Sequence, residues 1–482
     1  MSRILYCGLI MIMASAMVFA QTPEIEWETV IITEGEDGAI NVYETPDDGY
    51  IVGGNIQHFG GNNQDIFFVK LNADGDTLWT KAWGDDDYSE RMSEFIPTSD
   101  GGYIAVGNKT RSPYPAQYYL LKVDEDCDSV WAVVLGDPQV QKGAVGITEA
   151  YGGGYVFTGG CSQTDVGHQL FIIKTSPTGE IEWEKYYGLV GSDDGYSIIQ
   201  ADGGYVITGE SPSFNGQEWN FDLVIMKTDV NGDSIWTKSY GGEDEERGSR
   251  IRPAADGGFI AAGYTQSFGQ GAKDWYVVRT DGNGDSLWTR TFGNNYHDVA
   301  MDCKELPDAS GFVAVGSIHY GQWDTCVLRL STAGDSLWAL RIGGEEYEIA
   351  CAVEPTDDGG YIVCGYSDSY GEDADIHIIK LSPDPVDVEE SKALPQPVSN
   401  SRNFPNPFNA ATRINYRLNE YSRVKLEVYD ITGRTIAELV NAIQNAGDHS
   451  AIWDADEMAS GVYFYWITID SDIESGKMVL LK

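Results

Sequence analysis

Asp222 to Gly241 reads DLVIMKTDVNGDSIWTKSYG. An apolar run ends in Lys227, an Asn-Gly-Asp turn follows, and a second strand carries Trp236. The phrase recurs around Trp27, Trp79, Trp131, Trp183, Trp236, Trp288 and Trp338, at spacings of 52, 52, 52, 53, 52 and 50. A period near 50 means one supersecondary module stacked on the next. Two further series keep the period. Tyr50, Tyr103, Tyr155, Tyr205, Phe259, Phe312 and Tyr361 each open a strand after an Asp/Gly-rich turn. Lys70, Lys122, Lys174, Lys227, Arg279, Arg329 and Lys380 each close the strand before the next turn.

The series are staggered. Trp27 precedes every aromatic–cation pair, and Tyr361 with Lys380 has no tryptophan after it. An N-terminal strand that completes the last unit closes a ring and serves no purpose in a solenoid. The sequence therefore predicts an all-β chain over residues 21–383: a seven-bladed β-propeller of four-stranded units, closed by its N-terminal strand. In the fourth unit the strands fall near Gly195–Ile199, Tyr205–Gly209, Leu223–Lys227 and Ile235–Tyr240, rich in Val, Ile, Tyr and Trp. The first-to-second and third-to-fourth turns are tight and carry glycine, which accepts the positive φ of a hairpin turn. The other two connections are long and leave from the opposite face. Function on a rigid scaffold sits on such loops.

That loop-rich face is expected to hold any ligand, with Trp219, Trp323 and Tyr370 as stacking rings and Asp194 and Glu243 as polar partners. Rings stack on apolar sugar faces, and carboxylates accept hydroxyl hydrogen bonds. The alternative is that the acids are solvated and the rings pack between blades. The loop Ser211 to Asn220 departs mildly from the repeat. No residue set identifies a catalytic site: the six histidines are scattered, and no HExxH, G-x-S-x-G or phosphate-binding loop occurs. Asp229-x-Asn231-x-Asp233 and Asp281-x-Asn283-x-Asp285 imitate the start of a calcium loop. Serine replaces the glycine that should follow, so they read as hairpin turns, with weak surface Ca²⁺ binding as the alternative and no cofactor otherwise.

Gly232-Asp-Ser-Ile-Trp236 resembles the tryptophan-docking motif of quinoprotein-type propellers. There the indole wedges between blades and a lysine stands where Asp233 does; the resemblance implies fold and docking, not a quinone. The phrase is also similar to the Asp-box turn of sialidase propellers, with the glycine one place out of register. The wider phrases resemble β-propeller repeats of exported bacterial proteins.

The ends of the chain carry different information. Met1 to Ala20 (MSRILYCGLIMIMASAMVFA) has one arginine, an apolar run and a small-residue end, the pattern of a secretory signal peptide. No other stretch is long and apolar enough to cross a bilayer. The net charge of −44 over 482 residues repels phosphate backbones, so nucleic acid is not expected as a partner. Six cysteines follow the signal; Cys303 and Cys351 occupy near-equivalent strands of adjacent units, which allows one bridge.

Residues 384–402 are Pro/Ser/Glu-rich and read as a linker. Beyond them the period stops, and short alternating strands over 403–482 predict a small Ig-like β-sandwich. Asn403-Phe-Pro-Asn-Pro-Phe-Asn409, Val428-Tyr-Asp-Ile-Thr-Gly-Arg434, Ser460-Gly-Val-Tyr-Phe464 and Gly476 to Lys482 together resemble the type A C-terminal sorting domain of the type IX secretion system. Phe404, Pro405, Asn406, Pro407, Gly433, Gly461 and Tyr463 carry that resemblance. It implies export to the cell surface with the type IX machinery as partner. The expected product is a monomeric, surface-displayed propeller that binds a glycan or protein; the alternative is a glycosidase or lyase using carboxylates on the loop-rich face.

Overall fold

The computed structural model describes residues 22–385 and 402–482, apart from 34, 58–62, 137–139, 141, 164–166, 189–190, 215–218, 320, 345, 372, 405, 407, 419–421, 431–433, 446, 457 and 470–471. Met1 to Ala20, read as a signal peptide, lies outside the described residues. The chain divides at 385/386 into two compact units. Among the described residues all regular structure is β-strand, and no helix is long and apolar enough to cross a membrane.

In the first unit the described residues form seven antiparallel sheets built on four strands, here called a to d. In the fourth sheet these are Asp194–Ala201, Gly204–Phe214, Trp219–Asp229 and Ser234–Tyr240. Six sheets run a-b-c-d in chain order. The seventh takes Glu348–Pro355, Tyr361–Ser367 and Asp375–Leu381 from the end of the unit and Ile25–Ile31 from its start. The N-terminal strand pairs with strand c of that sheet, Trp27 opposite Lys380.

One register repeats throughout. Lys70, Lys122, Lys174, Lys227, Arg279, Arg329 and Lys380 oppose Trp79, Trp131, Trp183, Trp236, Trp288, Trp338 and Trp27. Beside each pair strand d makes a one-residue bulge, which twists the strand and turns its end toward the neighbouring sheet. Several of the cations fold back onto the a–b turn: Lys122 binds Asp100 at 3.0 Å and Arg279 binds Asp256 at 2.6 Å, whereas Lys174 pairs with Glu182 of strand d.

Each of the seven tryptophans lies in a core between its own sheet and the next. Trp27 rests on Gly75, in the c–d turn of the first sheet. A Cβ there would stand 2.6 Å from the indole, and φ is +83°, so glycine is required twice over. Trp183, Trp236 and Trp288 meet Gly232, Gly284 and Gly334 in the same way. Two residues past three of the tryptophans, Lys81, Lys185 and Lys238 pair with Asp128, Asp233 and Asp285 of the next turn, at 2.5–2.7 Å. The aspartates are largely exposed, so each pair contributes at most about 1 kcal/mol.

The sixth-to-seventh joint differs, because the seventh sheet has no c–d turn: its strand d arrives from the N-terminus. Asp384 stands in for the turn. It accepts from Trp338 Nε1 at 3.0 Å, Tyr361 Oη at 2.6 Å and Arg329 Nε at 2.9 Å. The first unit therefore extends past residue 383, the boundary expected from composition. The cycle closes where Trp27 meets Tyr50, with ring centroids 5.6 Å apart.

Strands a meet around the axis. Arg250 of the fifth sheet donates to Glu94 of the second at 3.0 Å and to Asn41 of the first at 3.2 Å. Arg252 pairs with Asp302 at 3.2 Å, and Lys304 with Glu354. Three cations answer three carboxylates, all mostly removed from water. Removing one partner of such a set strands a buried charge, a loss of about 3–5 kcal/mol.

Two expectations are corrected. The loop Ser211 to Asn220 is largely hairpin: strands b and c stay paired from Ser211 opposite Asp222 to Phe214 opposite Trp219, with Pro212 tolerated inside strand b. The bridge considered between Cys303 and Cys351 is absent, and all six cysteines are free. Cys303 faces the core between the fifth and sixth sheets, while Cys351, beside the strand-a bulge, faces a cavity.

The second unit is two sheets over one core. Arg402–Phe404, Ala411–Leu418 and Gly447–Asp454 form the first; Thr435–Gln444, Ser422–Asp430, Gly461–Ile469 and Asp472–Leu480 form the second. Val424, Leu426 and Val428 alternate inward against Ile414, Tyr416 and Trp453.

Candidate functional site

The a–b and c–d turns share one end of the sheets, and the b–c and d–a connections share the other. At the loop end the acid near the start of strand a is a repeated cap. Asp37 accepts from Gln57 N at 2.8 Å, Glu246 from Gly242 N at 2.8 Å, Asp298 from His319 N at 2.8 Å and Glu348 from Gly344 N at 2.8 Å. Much of the acidity at this end therefore holds loops in place. Burial nevertheless pushes the Asp298 carboxyl up to about 6.

Between the seventh, first and second sheets the loop end opens into a cavity of about 760 Å³. Glu36, Asp37, Glu346, Asp368 and Asp373 bring five carboxylates to its wall, and Arg91 the one cation among the lining residues. Tyr347 and Tyr366 supply rings, Ile40 and Cys351 the apolar floor. Tyr347 is 44% exposed. Burial raises the Asp368 carboxyl, and Glu346, Glu36 and Asp373 raise it further by repulsion. Burial, with Cys351 and Asp368 nearby, pushes the Tyr366 hydroxyl to about 12.

None of the five residues expected to bind ligand lines this cavity. Trp323 is half-buried and edge-on to His319 at 5.4 Å. Tyr370 is 45% exposed and edge-on to His377, also at 5.4 Å. Asp194 lies 3.1 Å from His168 Nδ1. Glu243 is exposed in a d–a connection. Trp219 lies in strand c opposite Phe214, and its side chain is outside the described set. The lining residues reasoning missed come from strand ends more than 300 positions apart; the Glu346-Tyr347 dipeptide is the one local signal.

In the calcium-like turns Asp229 Oδ1 accepts from Asn231 N at 2.8 Å and Asp233 N at 2.9 Å, and Asp281 repeats the pattern. Asp233 and Asp285 are held by lysines. Among the described residues no group of three or more His, Cys, Asp or Glu is placed to hold a metal ion.

In the second unit Phe404 lies opposite Arg413. Asn406 Nδ2 donates to Lys477 O at 2.7 Å and Asn406 Oδ1 accepts from Val479 N at 2.9 Å. Phe408 exchanges backbone bonds with Val479 and Leu481, both 2.9 Å. The first and last motifs of the tail are thus one structure. Gly461 opens its strand, and Tyr463 is buried against Trp453 with its hydroxyl on Ala459 O at 2.9 Å. Pro405, Pro407 and Gly433 lie outside the described residues.

Residues 402–481 match the family described as the secretion system C-terminal sorting domain. The chain is accordingly a secreted, cell-surface protein of a Gram-negative-type bacterium, and the tail is its link to the type IX secretion machinery. No curated protein matches the sequence. Among solved structures, a fungal alcohol oxidase of the AA5 family in complex with copper is similar at 11% identity, covering 95% of this chain and 100% of its own, with a TM-score of 0.46. The extracellular domains of Drosophila semaphorin 1b are similar at 10% identity, 75% and 88% coverage and TM-score 0.45. The periplasmic gluconolactonase of Pseudomonas aeruginosa is similar at 10% identity, 64% and 87% coverage and TM-score 0.44.

Proposed function

We propose that the first unit is a seven-bladed β-propeller that binds a neutral glycan at its loop end, and that the Ig-like tail delivers it to the cell surface. The cavity between the seventh, first and second sheets carries this reading. Five carboxylates against one guanidinium repel anions and accept hydroxyl hydrogen bonds, and an exposed tyrosine gives a sugar a stacking face. A volume of about 760 Å³ is within the range of ligand sites. Tyr370 adjoins Gly371 of the cavity wall and serves as its rim; Trp323, packed on His319, does not.

Affinity chromatography of the secreted protein on immobilised neutral polysaccharides tests the reading. One glycan class should retain the protein, and Tyr347→Ala should abolish retention without lowering Tm. Retention equal to wild type in Tyr347→Ala, or preference for polyuronates, would contradict it.

A further inference from the structure

The four-stranded sheet of the second unit turns one face to the core. Val424, Leu426 and Val428 of one strand and Tyr463, Tyr465 and Ile467 of its neighbour are buried there. The residues between them point the other way, to solvent. On a half-wet antiparallel sheet such positions are normally polar. Here they include Tyr429, Val462, Phe464 and Trp466, with Val479 from the last strand. Trp466 is 47% exposed, and its ring lies 4.7 Å from that of Tyr429. Tyr429 stands opposite Phe464 and Val462 opposite Val479, so one apolar stripe crosses three strands. The outer face of the other sheet differs. Arg413, Asn415 and Ser450 are exposed on it, and Ile452 is its one exposed large apolar side chain among the described residues.

Contiguous exposed rings mark a surface for a partner, and three observations say which. The first is membership. Tyr429 belongs to Val428–Arg434, Val462 and Phe464 to Ser460–Phe464, and Val479 to Gly476–Lys482, three of the four stretches that carry the sorting-domain resemblance. The inward residues of those stretches, such as Val428, Tyr463 and Met478, build the core. Their outward residues build this stripe, so it is continuous with the segment that links the chain to its secretion machinery. The second is charge. Glu427, beside the rings, is answered by Lys425 at 2.8 Å and accepts from Tyr429 Oη at 3.0 Å. Residues 403–482 hold 7 Lys and Arg against 11 Asp and Glu, a small share of the chain's net −44. An apolar partner surface can therefore approach this face without opposing a strong field. The third is area. Four strands of about nine residues present a face of about 19 Å by 30 Å. Covering it removes about 1,100 Å² over both partners, at the low end of specific interfaces, where transient encounters lie. An exporter that must release every chain it carries is a partner of that kind.

We propose that the type IX secretion machinery holds the tail by this stripe, with Trp466 and Tyr429 as anchoring rings and an apolar, ring-accepting protein surface as their counterpart; this rests on the reading of the tail as the delivering unit. Tryptophan and tyrosine are the residues that most often dominate such contacts.

The full chain is expressed in a bacterium that has the type IX machinery. Surface display is measured by accessibility to external protease, and retained chain by periplasmic fractionation. Trp466→Ser should lower display by at least about tenfold, the loss expected of an anchoring ring, with the chain accumulating in the periplasm. Tyr429→Ser should act in the same direction, and Trp466→Phe should restore part of the display. Ile452→Ser, which removes an equally exposed apolar side chain from the other sheet, should export normally. The purified Trp466→Ser chain should keep its Tm, because the side chain is exposed. Full display of the Trp466→Ser, Tyr429→Ser double variant overturns the proposal. So does an equal loss in Ile452→Ser, which would make general apolarity the cause, or a clear fall in Tm, which would make the stripe a contact within the chain. A chain lacking 402–482 separates the two readings. Its undiminished display would remove delivery by the tail altogether, whereas its retention beside full display of the double variant would remove only the stripe.

Discussion

The two ends of the seven sheets follow different rules. At the turn end the side chains do repeated structural work: indole on the next sheet's turn glycine, lysine on the neighbour's turn, and cation on the a–b aspartate of its own sheet. That work recurs at most joints, so the residues repeat. At the loop end buried acids such as Asp37, Glu246, Asp298 and Glu348 hold loops, and the remaining positions are free to differ. Periodicity marks the parts of this molecule that carry stability, and its loss marks the parts available for chemistry.

The largest effect should come from breaking the turn end at its seam. Removal of Ile25–Ile31 empties the fourth place of the seventh sheet and leaves Asp375–Leu381 as an open edge. The loss of Trp27 alone is worth up to about 3–5 kcal/mol. Thermal denaturation should show a large fall in Tm; an unchanged Tm would mean the first unit does not depend on closure.

The next effect lies at the loop end and depends on pH. Burial lowers His377 to about 4, from an ordinary 6.5, so it is neutral in the folded protein. The unfolded chain takes the proton first. Stability should therefore fall as pH drops from about 6.5 to about 4, by about 3 kcal/mol in all. Asp298 and Asp324, both pushed up to about 6 by burial, act in the opposite sense and gain stability over the same fall. The informative quantity is the difference between wild type and His377→Leu in denaturant midpoints at pH 7 and pH 4.5. No difference in slope would show that the imidazole is not held neutral.

Asp384→Ala should cost about 2 kcal/mol, because three donors at the seam lose one acceptor that is itself partly exposed. An equal loss from alanine at Asp233, an ordinary turn, would erase the distinction between the seam and the other joints.

The smallest stability change should be that of Tyr347→Ala, within about 0.5 kcal/mol of wild type, with binding lost. Trp323→Ala should do the reverse and lower Tm, since Trp323 packs on His319. If the two variants exchange behaviours, the cavity is not the binding site.

The turn end was legible in the chain because its contacts are local in the repeat. Each tryptophan, cation and turn glycine sits at a fixed offset, so the tryptophan spacing and the orphan Trp27 suffice to count units and to find the closing strand. Asp384 was not legible: it acts only because a turn is missing, and it falls in a stretch whose composition reads as linker. The loop end resisted for a related reason. Rings and acids between the strand patterns point to Trp219, which lies in a strand, and to Trp323, which packs on a histidine. The cavity gathers Glu36, Arg91 and Asp373 from three sheets, and nothing in their neighbours announces the meeting.

The seventh sheet has a topological consequence. Ile25 pairs with Leu381, near the far end of the first unit. The unit is in effect a circle opened between strands c and d, and the opening could stand elsewhere. A circular permutant that begins at Gly38 and joins Leu381 to Ile25 through a Gly-Asp hairpin would keep every sheet while converting its longest-range pairing into a local one. Such a chain should reach the same fold faster, because the closure entropy of the great loop no longer has to be met before the last strand docks.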